Sequence, residues 1–171
     1  MIALIGLPGA GKTTVGRQLA RRLQLPFEDS DHAIEVRLGC SIRQYFDTEG
    51  EDNFRDIEQE AIAVLTTKSA CVLSTGGGVV LRQANREILC KSCQVIYLKA
   101  NPDDLARRLH HDHHRPLLQV EDPLARLRDL YVQRDPLYRE TAHFVIETGR
   151  PSVATLVNMI VMQLELAGAL R

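Results

Sequence analysis

The chain has no tryptophan, few aromatic residues (5%) and almost no net charge: 21 Lys and Arg against 22 Asp and Glu leave -1 over 171 residues, histidines taken as neutral. The scarcity of aromatic rings argues against a stacking platform for single-stranded nucleic acid. The missing basic excess disfavours steering of the whole chain to DNA or RNA. No apolar run approaches the roughly 18–20 residues that span a bilayer. The opening segment Met1-Ile2-Ala3-Leu4-Ile5 lacks a positive stretch and meets Gly6 too soon to act as a signal peptide. A cytoplasmic protein without nucleic-acid or membrane partners is the expectation. Cysteine is also sparse. Cys90 and Cys93 form a single CxxC with no second pair at metal-ligand spacing, so Cys40, Cys71, Cys90 and Cys93 read as reduced structural thiols. What is present is ordinary for a folded domain, with 44% hydrophobic and 25% charged residues, and the length suits one domain.

Hydrophobic patterning places strands between helices. Ile2 to Ile5 is a short apolar run ending in glycines, as a buried strand would be. Lys12 to Leu25 carries Val15, Leu19, Ala20 and Leu23 at helical spacing, and Pro26 stops it. Phe27–Asp29, Ala70–Ser74, Gln94–Leu98 and His143–Ile146 read as further strands. Helices are expected over His32–Leu38 with Asp31 as a possible cap, and over Glu49–Thr67, Leu81–Leu89, Pro123–Tyr138 and Pro151–Leu170. Another opens at Asn101-Pro102-Asp103, and His110–Val120 reads as a loop. Five apolar strands alternating with helices imply an α/β domain whose parallel sheet is covered on both faces.

Gly6-Leu7-Pro8-Gly9-Ala10-Gly11-Lys12-Thr13 matches G-x-x-x-x-G-K-[ST], with the required strand before it and helix after it. Its glycines let successive N–H groups curl around a phosphate, and the helix N-terminus adds partial positive charge. Lys12 can reach the β- and γ-phosphates, and the Thr13 hydroxyl can join Mg²⁺. No Asn-Lys-x-Asp guanine-reading motif follows, nor a hydrophobic strand ending in Asp-Glu, so a GTPase or motor is disfavoured.

Three later elements instead suit a small anionic acceptor. Asp29 and Asp31, two apart after a strand, can face one site. One carboxylate could hold Mg²⁺ through water and the other accept a proton from an attacking hydroxyl; the bland reading makes Asp31 only a helix cap. Gly76-Gly77-Gly78 follows the third strand and would let backbone approach a ligand closely, or would be no more than a loose connection. Arg55 and Arg134, if they converge, could grip a carboxylate in bidentate fashion; taken singly, each reads as a surface arginine.

Taken together, Gly6 to Thr14, Asp29-Ser30-Asp31, Phe54-Arg55, Thr75-Gly76-Gly77-Gly78, Arg115-Pro116-Leu117-Leu118 and Arg134-Asp135-Pro136-Leu137-Tyr138 resemble the shikimate kinase family over residues 1 to about 150. The resemblance implies a three-layer α/β/α P-loop kinase fold with a five-stranded parallel sheet of order 2-3-1-4-5 and a mobile lid. Residues 1–171 would form a single kinase domain, with a substrate-binding region at about 31–62 and the lid at about 110–120. It implies transfer of the ATP γ-phosphoryl group to the 3-hydroxyl of shikimate, with Mg²⁺, by a cytoplasmic monomer serving aromatic amino-acid biosynthesis. Asp31 would be the base, with Lys12 and the lid residue Arg115 completing the catalytic set. Gly9, Ala10, Gly11, Lys12, Thr13, Thr14, Arg108, Arg115 and Arg150 would contact ATP. Asp31, Arg55, Gly76, Gly77, Gly78 and Arg134 would hold shikimate, and Thr13 and Asp29 would serve the metal. The lid departs from the family in its histidines, His110, His111, His113 and His114, which read as a solvated or pH-sensitive stretch more readily than as a metal site.

Two rival readings stand beside this one. Gluconate is also a polyhydroxy carboxylate, so another small-acceptor kinase of the same fold, a gluconate kinase or nucleoside monophosphate kinase, shares the arginine argument. A nucleotide-sensing module would need the P-loop but none of Asp31, Arg55, Arg115 and Arg134.

Overall fold

The computed structural model describes residues 1–109 and 120–170. The fully buried run Ile2–Ile5 forms β1, from which the chain curls into the glycine-rich loop and then α1 (Lys12–Leu23). The remaining strands are β2 (Phe27–Asp29), β3 (Val72–Ser74), β4 (Gln94–Lys99) and β5 (Phe144–Glu147). They pair in parallel in the order β2-β3-β1-β4-β5, with Ala3 in register with Leu73 on one side and Val95 on the other. The five-stranded order expected from the resemblance is the order observed.

Helices surround this sheet. They are α2 (Ser30–Leu38), α3 (Ile42–Leu65), α4 (Gln83–Ser92), α5 (Pro102–Leu109), α6 (Pro123–Thr141) and α7 (Val153–Leu166). A 3₁₀ turn at Val79–Leu81 precedes α4. The central strands β1 and β4 supply the main core, packed by Leu19, Ile62, Leu89, Leu130 and Ile160 from the helices. Burying each such side chain stabilises the fold by roughly 1.5–3 kcal/mol. A second, smaller apolar cluster lies apart from it: Ile34 of α2 with Phe54 and Ala61 of α3, edged by Leu38, Tyr45, Phe46 and Ile57. Among the described residues no helix is long and apolar enough to cross a membrane.

Some boundaries differ from the patterning, and each difference has a physical cause. The helix expected from residue 49 begins at Ile42, capped by Ser41, whose side chain accepts from the Gln44 N–H. It is broken at Gly50, where φ 82° and ψ 171° fall in a region open essentially to glycine. The amphipathic period resumes only after that break. Asp29, rather than Asp31, caps α2: its carboxylate accepts the N–H groups of Asp31 at 3.0 Å and His32 at 3.3 Å. Asp31 thereby sits in the first turn with its own carboxylate uncommitted to capping, which removes the bland reading of that residue.

Because all five strands run parallel, the segments leaving β1, β2 and β3 emerge at the same edge. Those segments are the glycine-rich loop, the Asp29–Asp31 turn and the triple glycine, and strand topology alone brings them together.

Candidate active site

A cleft of about 850 Å³ opens at that edge. Gly9, Gly11, Lys12, Thr13 and Thr14 line one end, and Asp29, Asp31, Arg55, Glu58 and Gly76 to Gly78 line the other. In the loop, Gly9 has φ 85°, a backbone conformation that strains any side chain, and a Cβ there would also push on the Leu109 side chain 2.7 Å away. Ala10 is buried beneath the loop, its N–H held by the Leu7 carbonyl at 3.1 Å. Lys12 donates to the carbonyls of Gly6 and Leu7, both at 2.8 Å, so the ammonium lies folded against the loop that it would leave to meet phosphate.

The Thr13 hydroxyl donates to Asp29 Oδ2 at 3.1 Å, while Asp29 Oδ1 is engaged by the α2 amides. One hydroxyl and one oriented carboxylate are hard oxygen donors. They suit Mg²⁺, which keeps several waters and phosphate oxygens and takes few ligands from protein. Among the described residues no group of three or more His, Cys, Asp or Glu forms a denser metal site.

Across the cleft, Asp31 is pushed up to about 6, first by burial and then by the charges of Asp29 and Glu58, with Lys12 opposing. Such a carboxyl is poised to take a proton near neutral pH. Arg55 is buried on α3, donating to Glu58 Oε1 at 2.8 Å and Glu51 Oε1 at 3.3 Å. Its guanidinium also lies over the rings of Phe54 at 5.2 Å and Phe46 at 5.9 Å. Arg134, only 3% exposed on α6, leaves Nε and Nη1 without a partner, and Arg55 leaves Nε without one. Burial above all, and then the nearby Arg55 charge, lower the Arg134 pKa, while the Tyr138 hydroxyl opposes them. Two buried guanidiniums that repel each other and hold unpaired N–H groups call for an anion, since each unmet donor costs roughly 1–3 kcal/mol.

The triple glycine explains itself through its neighbours. A Cβ at Gly76 would lie 2.7 Å from Asp31 Oδ1 and 3.1 Å from Glu58 Oε2. At Gly77 it would lie 2.8 Å from the Pro8 ring, and at Gly78 it would strike the Arg55 guanidinium. Each glycine makes room for a different part of the site, so the segment is no loose connection. Ser30 closes the arrangement by accepting the Gly76 N–H on its Oγ at 3.2 Å.

The adenine-side expectations fare differently. Arg108 donates to the Thr148 carbonyl at 3.2 Å, which brings α5 to the β5–α7 turn. Arg150 is exposed on that same turn and does not line the cleft. Arg115 and the histidines at 110, 111, 113 and 114 lie outside the described residues. Sequence reading missed Glu58 and Tyr138. Their signals were present as spacing: Glu58 lies three residues beyond Arg55 and Tyr138 four beyond Arg134, one helical turn in each case.

Comparison with known proteins agrees with this geometry. The family model described as Shikimate kinase matches residues 8–165. A shikimate kinase of Ralstonia nicotianae is 59% identical over 98% of this chain and 88% of its own length. The solved shikimate kinase of Acinetobacter baumannii in complex with shikimate is 46% identical, with a TM-score of 0.93 over 99% of this chain and 94% of that one. A gluconokinase of Sinorhizobium meliloti covers 97% of this chain and 91% of its own, but at 18% identity and a TM-score of 0.57 it shares the fold alone.

Proposed function

The chain belongs to the shikimate kinase family, and on that premise we infer that it transfers the γ-phosphoryl group of ATP to the 3-hydroxyl of shikimate. The products are ADP and shikimate 3-phosphate, a step of aromatic amino-acid biosynthesis. The observation that carries this reading is the pair Arg55 and Arg134, buried with unmet N–H donors: Arg55 lines the cleft with Asp31 and the triple glycine, and Arg134, outside the lining, is close enough for its charge to act on Arg55.

Binding begins with charge. Amides of Gly9 to Thr14 cradle the triphosphate, and Lys12 exchanges its loop carbonyls for phosphate oxygens. Thr13 and Asp29 would hold Mg²⁺, which would supply positive charge against the triphosphate. Arg55 and Arg134 take the acceptor carboxylate, and Glu58 keeps Arg55 aimed. The amides of Gly77 and Gly78, with Gly76 packed on Asp31, border the ring hydroxyls. Asp31 accepts the hydroxyl proton as the oxygen attacks. The resemblance gives Arg115, outside the described residues, the role of supplying positive charge to the transferring group. Arg108 packs on the adenine side, with Arg150 at its margin. One domain over 1–171, acting as a cytoplasmic monomer without nucleic-acid or membrane partner, completes the reading.

An acceptor panel with ATP and Mg²⁺, read by ADP release, tests it. Shikimate is expected to be phosphorylated, whereas gluconate and AMP are not. Turnover of gluconate or AMP in place of shikimate sinks the assignment.

A further inference from the structure

Tyr138 is fully buried on α6, one turn beyond Arg134, and its hydroxyl donates to the Gly77 carbonyl at 2.6 Å. That leaves the phenolic oxygen free to accept, and the Arg134 guanidinium interacts with it. A chain of interactions therefore runs from the Arg134 guanidinium through the Tyr138 O–H to the Gly77 carbonyl, its second link a hydrogen bond of 2.6 Å. Donors and acceptors in such a chain polarise one another. The Gly77 carbonyl and the Gly78 N–H belong to one planar trans peptide and point in opposite directions. Holding the carbonyl toward α6 turns the Gly78 N–H the other way. Among the described residues neither Gly77 nor Gly78 donates its N–H to the protein, and both line the cleft. The same loop is wedged at Gly77 against Pro8 of the phosphate loop, so its placement also registers the two halves of the site.

The ring itself is held separately. Tyr138 packs on Tyr97 with centroids 4.9 Å apart, and Tyr97 is anchored by its hydroxyl to Asp135 at 2.8 Å. The hydroxyl of Tyr138 is thus dispensable for packing and is spent on the glycine loop.

We propose that Tyr138 is a positioning residue that couples the carboxylate-binding Arg134 to the orientation of the Gly77–Gly78 peptide, so that the acceptor's carboxylate and ring hydroxyls are read in fixed register. The proposal rests on the reading of this site as one for shikimate.

Tyr138→Phe keeps the ring and removes only the donor. KM for shikimate is expected to rise about five- to twenty-fold, with kcat changed less than about threefold and KM for ATP unchanged, as loss of one buried hydrogen bond at the acceptor would give. A merely structural role would instead lower the melting temperature and disturb both substrates together. Combining Tyr138→Phe with Arg134→Lys is expected to give less than the product of the single effects. Unchanged KM for shikimate, or equal losses toward ATP, overturns the proposal. A second readout needs no turnover. In the ¹⁵N-glycine spectrum of the free protein, Tyr138→Phe should displace the Gly77 and Gly78 amide resonances and speed their hydrogen exchange, leaving Gly39 and Gly168 in place. Unmoved Gly77 and Gly78 resonances overturn the proposal as well. Wild-type protein inactive on shikimate would refute the acceptor assignment, while the glycine spectrum still decides the role of Tyr138.

Discussion

Asp31 concentrates the chemistry and its cost in one carboxyl. In the folded chain it keeps its proton up to about pH 6, against 3.8 for an ordinary aspartate. Between those values the native state binds more protons than the unfolded chain, so stability falls as pH rises, by ~3 kcal/mol in all. The penalty is absent below 3.8 and complete above about 6. With metal chelated, Asp31→Asn should therefore resist urea better than wild type at pH 8, and the gap should close toward pH 4. Equal stability at pH 8 would refute the account. The same substitution should lower turnover about a hundredfold or more while ATP still binds. Gly78 makes a complementary case. The space its Cβ would fill is occupied by the Arg55 guanidinium, which is buried and bonded to Glu58. Gly78→Ala should lower the melting temperature and raise KM for shikimate about tenfold or more, because a displaced guanidinium leaves buried Glu58 unpaired and no longer meets the carboxylate. An unchanged melting temperature, or an intact KM, would contradict this.

At the scale of elements, α3 does two jobs with one break. Its first part, from Ile42, reaches over the cleft with Phe46, and its second carries Phe54, Arg55 and Glu58. Gly50 joins them in a conformation that a side chain enters only at about 1–3 kcal/mol. Gly50→Ala has open space around its Cβ, so any loss reports backbone strain alone. Chemical denaturation should show a loss within that range, and hydrogen exchange should rise first over residues 42–54; a neutral substitution would mean that the break is not enforced there. Arg82 braces the same helix from below, donating to Asp56 Oδ1 and to the Asp52 carbonyl. These arrangements mark the limit of what patterning could reveal. The five strands and the phosphate loop were legible, because apolar runs and a fixed glycine spacing are local signals. The start of α3 and the cap of α2 were not. Residues 42–49 lack a clean apolar stripe, since their apolar side chains serve the small second cluster and the cleft, and Asp29 and Asp31 are equally good caps until β2 fixes which one ends it. Asp31, Arg55 and Arg134 could be named from type and order. Their partners Glu58 and Tyr138 carried only the weak signal of lying one helical turn beyond each arginine, which many helical residues share until tertiary packing shows what they touch.

Over the whole molecule, near-zero net charge conceals a cleft in which buried cations await anions. Filling it should stabilise the fold by mass action, by about 2.7 kcal/mol at a shikimate concentration one hundred times Kd. For a chain of this size that corresponds to a rise of about 5–10 °C in melting temperature. Shikimate methyl ester, which keeps the ring hydroxyls and loses the charge, should give a small fraction of that shift. An ester that protects as well as the acid would argue that Arg55 and Arg134 do not read a carboxylate.

The strand order has a consequence for how such a molecule can change. β1 lies in the middle and carries the phosphate loop. The strands on one side, β3 and β2, lead into the acceptor groups, and those on the other, β4 and β5, lead toward the segment that meets Arg108. On the proposed reading Asp31, Arg55 and the triple glycine come from the first flank, whereas Arg134 and Tyr138 come from α6, between β4 and β5 on the second, so the acceptor's contacts are drawn from both. A lineage could not exchange the contents of one flank and leave the other untouched, because Tyr138 of the second reaches the Gly77 carbonyl of the first. The sheet is then less a chassis with two separable halves than a clasp, whose grip on the acceptor must change on both sides at once.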